Sequence, residues 1–160
     1  MRTECALEYS HSRPVIEVLL NEVGLKALID TGAEVPVFLL PKFVAARLRM
    51  KYRGGGYNLE GFSGSILCDC YEGNIKIGDI VFEKVPFLVN PMVKSFSLVL
   101  PASMFIDFDV TINNSSKTFV MCNDSESKSY SLKVRNEDGS SMVLENEGFL
   151  SGINDLTLNS

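Results

Sequence analysis

Residues 13–38 read RPVIEVLLNEVGLKALIDTGAEVPVF, and their order points to one local architecture. Pro14–Leu20 is rich in Val, Ile and Leu and reads as a strand. Asn21-Glu22-Val23-Gly24 reads as a turn and Leu25–Ile29 as a second strand, which together make a hairpin. Asp30-Thr31-Gly32-Ala33 follows at once, and then another short apolar run, Val35–Leu40. A carboxylate at the end of an apolar strand is costly unless it has partners or a use. Thr31 offers a hydroxyl that locks a loop by hydrogen bonds. Gly32 lets backbone approach closely, and Ala33 keeps the neighbourhood small. The plain alternative is a turn, since Asp opens turns and Gly closes them. A bare Asp-Thr-Gly occurs by chance in about a few per cent of chains this long; its place at the end of a hairpin strand is what raises it.

Working outward, the pattern is mostly strand. Pro41–Met50 is the best helix candidate, with Pro41 at its first position and Phe43, Val44, Arg47 and Leu48 on one stripe. Gly54-Gly55-Gly56 breaks the chain. Two long strands then surround a glycine-bearing tip: Tyr57–Glu60, the tip Gly61-Phe62-Ser63-Gly64, and Ser65–Ile77. A turn at Gly78-Asp79 leads into Ile80–Val89. Phe96–Leu100 reads as a strand buried on both faces, and Pro101–Phe105 as a short helix. Phe108–Ile112 pairs with Lys117–Cys122 as a hairpin, and Tyr130–Arg135 with Ser141–Leu144 as another. From Asn146 the composition is polar and small, as expected of a flexible tail. The expected fold class is all-β with one or two short helices. The expected division is a lobe over 1–122 and a C-terminal extension over 123–160, made of a hairpin at 129–145 and the tail.

The chain has 160 residues, enough to bury a real core. Its 46% hydrophobic and 22% charged residues suit a globular domain and not a disordered one. The net charge of −5 argues against a nucleic-acid partner. The one dense basic cluster, Arg47, Arg49, Lys51 and Arg53, reads as a solvated helix end and loop. Cys5, Cys68, Cys70 and Cys122 match no disulfide framework, and with His11 far off they make no metal site, so no metal or cofactor is expected. Residues 1–10 lack an apolar signal core, and no apolar run nears the ~18 residues of a membrane span. A cytoplasmic protein is the simplest expectation, with no membrane partner.

The hairpin, the Asp-Thr-Gly-Ala loop and the following strand, Pro14–Phe38, resemble the retropepsin-like aspartic peptidases. Tyr57–Val89 is similar to their flap hairpin and the strands after it, and Ser97–Met121 to their closing strand, short helix and final hairpin. The resemblance runs over roughly residues 3–122, and its specific part is the loop in its strand context. It implies a closed β-barrel or sandwich lobe. It implies that Asp30 is the catalytic carboxylate, that Thr31 holds two catalytic loops together across a dimer, and that Gly32 lines the substrate channel beside Ala33. It implies that Gly61, Phe62, Ser63 and Gly64 close over bound peptide. One departure is Pro101, where the family usually carries glycine; another is the chain beyond Cys122.

Aspartic peptidases activate water with two carboxylates that share one proton. Of eight aspartates here, only Asp30 is followed by Thr-Gly or Ser-Gly. The second carboxylate therefore comes from a second copy, in a homodimer with the site on its twofold axis. The expected activity is endopeptidase cleavage of peptide or protein held in extended form in a β channel. Two other readings stand beside it: a catalytically weak dimerisation or peptide-binding module of the same fold, and an unrelated β domain with a chance Asp-Thr-Gly.

Overall fold

A computed structural model describes residues 1–30, 38–61, 64–91, 98–131, 133–135 and 141–143. The hairpin read from the sequence is present. β2 (Arg13–Leu20) pairs antiparallel with β3 (Val23–Asp30), and Leu20 faces Val23 across a two-residue turn. Asn21 and Glu22 sit at φ 46° and 70°, the left-handed pair that matches strand twist in a tight hairpin. Asn21 also locks the turn in place. Its amide Nδ2 donates to the Leu48 carbonyl at 3.0 Å, and its Oδ1 accepts from the Asn74 N–H at 2.9 Å.

An unexpected strand precedes it: β1 (Arg2–Ser10) pairs with β2 on one side and with the late strand β10 (Thr118–Cys122) on the other. After β3 come β4 (Phe38–Pro41), α1 (Lys42–Arg47), β5 (Lys51–Gly61), β6 (Gly64–Ile77) and β7 (Ile80–Asn90). β8 (Leu98–Pro101) leads into one 3-10 turn at Ala102–Phe105, and β9 (Asp109–Asn113) pairs with β10. The described strands form an eleven-stranded sheet in the order β11 (Ser129–Ser131), β7, β6, β2, β1, β10, β9, with β3 and β8, β4, and β5 branching from it. The architecture is all-β with two short helical pieces, as expected. Among the described residues the ladders run as an open path: β4 and β8 lie side by side, but β4 pairs with β7 and β8 with β3.

Three local expectations are corrected. The glycines at 54–56 do not break the chain; β5 runs through them, with register shifts against β6 on either side of Gly54, between Tyr52 and Gly54 and between Gly54 and Tyr57, and with Gly54 and Gly56 at φ 146° and 78°. The helix is shorter than the apolar stripe implied, and Pro41 stands before its first residue. Val44, Ala45 and Leu48 are buried, whereas Phe43 stays 47% exposed. Among the described residues beyond Cys122, β12 (Lys133–Arg135) pairs with β13 (Ser141–Val143) in the expected hairpin, while β11 pairs in parallel with β7 instead of joining it. Tyr130 on β11 packs its ring 4.9 Å from Phe108 and 6.0 Å from Phe82, and Asn123 Nδ2 donates to its hydroxyl at 3.0 Å.

The core gathers Ile16, Leu20, Ile75, Ile77, Ile80, Phe82, Phe87, Leu98 and Phe119, each nearly inaccessible to water. Burying each such side chain stabilises the fold by roughly 1.5–3 kcal/mol before entropy is counted. The Gly78-Asp79 turn is tied to β1, where the buried Thr3 hydroxyl accepts the Asp79 N–H at 3.0 Å. Gly78 sits at φ 57°, and a Cβ there would run into the Thr3 side chain. Gly78→Ala is therefore expected to cost about 2 kcal/mol or more; a shift in denaturation midpoint at unchanged slope measures it.

Cys68 and Cys70 alternate onto the core side of β6, and all four cysteines are free thiols. Burial pushes the Cys70 thiol from 9.0 up to about 12, and burial followed by the Asp69 charge pushes the Cys68 thiol up to about 11. As pH rises from 9 toward 11, the unfolded chain releases these protons while the folded chain keeps them, so stability falls. The melting temperature is expected to drop across that window, and to drop less in the Cys68→Val, Cys70→Val double variant.

Candidate active site

β3 is clamped on both sides: antiparallel by β2 and parallel by β8. In the parallel ladder Ala27 faces Leu98, Leu28 faces Val99, Ile29 faces Leu100 and Asp30 faces Pro101. Side chains alternate across a strand, and here Ala27 and Ile29 are buried while Leu28 and Asp30 are only partly so. The apolar residues thus anchor β3 in the core, and Asp30 is delivered on its other face at the strand's last position. This arrangement leaves a partly exposed carboxylate at the end of a strand paired on both sides.

Thr31, Gly32 and Ala33, expected to form the loop after Asp30, lie outside the described residues. Of the expected flap, Gly61 and Gly64 face each other as the last pair of the β5–β6 ladder, which brackets a two-residue tip; Phe62 and Ser63 lie outside the described residues. The β5–β6 hairpin and Asp30 sit on different branches of the sheet, linked through β2, which pairs with β3 and, at Leu19 and Leu20, with β6. Tyr57 and Tyr71 pack against the core. Arg53 leaves the expected solvated cluster: it is largely covered and reaches Glu72 at 3.5 Å.

The partner of Asp30 is a feature that residue order alone did not show. Pro101 has no N–H and a fixed φ. It closes β8 beside Asp30 and starts the 3-10 turn, which lacks a side-chain cap. Within that turn the Ser103 hydroxyl is buried and has no hydrogen-bond partner among the described residues. The only sequence signal for this juxtaposition was a proline ending a short apolar run. Among the described residues no group of three or more His, Cys, Asp or Glu is placed to hold a metal ion, and no helix is long and apolar enough to cross a membrane.

Comparison with known proteins bears on the same segment. A family model described as aspartyl protease matches residues 16–104, from β2 through the 3-10 turn, which is more than half of the 160 residues. No curated protein matches the chain. A crystal structure of a retropepsin-like aspartic protease from Rickettsia conorii is similar, with a TM-score of 0.52 at 18% identity, over 76% of this chain and 89% of that one. At that identity the likeness speaks for the fold. By the match across β2 to the 3-10 turn, this chain belongs to the aspartyl protease family of peptide-bond hydrolases, on a retropepsin-like fold.

Proposed function

We propose that the chain is an endopeptidase whose water is activated by two Asp30 carboxylates, one from each protomer of a homodimer. The observation that carries this reading is the place of Asp30: it ends a strand clamped on both sides and is the chain's only Asp followed by Thr-Gly. One carboxylate takes a proton from water as the water attacks the scissile carbonyl, and the protonated one donates to the carbonyl oxygen. The resulting tetrahedral species collapses as the amine leaves with a proton. The two groups titrate as a pair.

In this reading Thr31 bridges the two catalytic loops, and Gly32 and Ala33 keep the floor narrow for substrate backbone. Gly61, Phe62, Ser63 and Gly64 form a flap over an extended peptide. The working lobe is 1–122, with 123–160 as an extension, and neither metal nor cofactor enters the chemistry. The four free thiols, two of them buried, suit a reducing compartment such as the cytoplasm.

A second reading has its own support. Pro101 faces Asp30 where the family usually carries glycine, so the floor beneath the carboxylate is built differently, as in a weakly active peptide-binding module.

Asp30→Asn keeps the shape of the side chain and removes its acid–base function. It is expected to lower cleavage by about 10⁴-fold or more without changing the melting temperature appreciably. Peptide libraries digested by wild type and variant, read by mass spectrometry, check this; equal cutting by both would overturn the proposal. Specific activity is also expected to fall on dilution as the dimer dissociates. Specific activity independent of concentration down to the monomeric range would contradict a shared site.

A further inference from the structure

At the end of β3 opposite Asp30 lies an apolar groove of about 440 Å³, lined by Val23, Leu25, Phe43, Val44, Arg47 and Leu48. From Leu25 to Asp30 is five strand residues, about 17 Å, so this groove is separate from the candidate active site. Its walls expose large apolar groups: Val23 is 45% and Phe43 47% accessible. Its one charged lining residue is Arg47, in the last turn of α1. Arg47, Arg49 and Lys51 take part in none of the ion pairs among the described residues, whereas Lys42 and Arg53 of the same stretch pair with Asp69 and Glu72. The site thus asks for an occupant that is apolar and negatively charged.

The chain contains such a segment. Residues 144–160, which lie outside the described residues, read LENEGFLSGINDLTLNS. They carry Glu145, Glu147 and Asp155, no Lys or Arg, and the large apolar residues Leu144, Phe149, Leu150, Ile153, Leu156 and Leu158. The preceding β12 lies beside the 3-10 turn, so the extension is already held against the lobe where this segment begins. Seventeen residues beyond Val143 span up to about 56 Å, and a lobe of this size is only about 36 Å across. Every face of the lobe is within reach without a second copy.

We propose that the groove between the start of β3 and α1 is the docking site for the chain's own segment 144–160. Apolar side chains of the segment fill the groove, and its carboxylates face Arg47, Arg49 and Lys51. The proposal stands independently of the role given to Asp30. Screening follows from its charge component, since the Debye length shrinks from about 10 Å to about 3 Å between 0.1 M and 1 M salt.

The test places a photoreactive aromatic in the groove of the full-length chain, Phe43→benzoylphenylalanine, with Val23→benzoylphenylalanine on the opposite wall as a second probe. Tyr9→benzoylphenylalanine, exposed on β1, is the control. After irradiation, mass spectrometry is expected to map groove cross-links within one chain to 144–160. Their yield should fall about threefold or more with Arg47→Glu or with added salt, and the control should give none to that segment. Cross-links to other segments, a covalent species of twice the mass, no cross-link from either groove probe, or a yield indifferent to Arg47→Glu and salt would each overturn it.

Discussion

The parallel ladder between β3 and β8 is the constraint on which the rest of this protein turns. A parallel pair cannot close through a tight turn, so a long crossover must bring its second strand back. Here 67 residues lie between Asp30 and Leu98, the end of one strand and the start of the other, and they contain α1, the β5–β6 hairpin and β7. The ladder holds Ala27 and Ile29 in the core on one face and leaves Asp30 at the rim on the other. With β2 pairing on the far side, the last residue of β3 has little freedom to move, which suits the catalytic role proposed for Asp30.

How far this was legible in the sequence depended on how local each signal was. The β2–β3 hairpin and Asp30 stood out because two apolar runs flank a polar turn within eighteen residues of each other. β1 was missed because Arg2, Glu4 and Glu8 interrupt any apolar alternation; only Thr3 and Leu7 of that strand are buried. The glycines at 54–56 suggested a break because glycine is usually punctuation, but β-bulges use the same positive φ values to continue a strand. Phe43 fell on the apolar stripe of a ten-residue helix, yet α1 stops after six residues and leaves that ring half in water. Pro101 was visible as an oddity, but its place opposite Asp30 is a contact across 71 residues that only the parallel register reveals.

The extension shows the same division between local and long-range information. Its hairpin residues were recognisable, but the departure of β11 to the edge of β7 was not, since it depends on Tyr130 finding Phe82 and Phe108. A parallel strand added to β7 covers backbone groups that would otherwise template association at a sheet edge. Up to Ser131 the chain beyond Cys122 is in this sense packed with the main sheet, and the sequence carries a single Asp-Thr-Gly.

On the proposed reading, that single motif makes the central claim a matter of stoichiometry: one active site would need two chains, each with its Asp30. The direct measurement mixes wild type with Asp30→Asn at constant total protein, allows protomers to exchange, and follows cleavage against the wild-type fraction. If both carboxylates of a site are required, activity falls as the square of that fraction, so an equal mixture retains about a quarter of the starting rate. A linear fall, with about half retained, would mean that each chain works alone and would contradict the account.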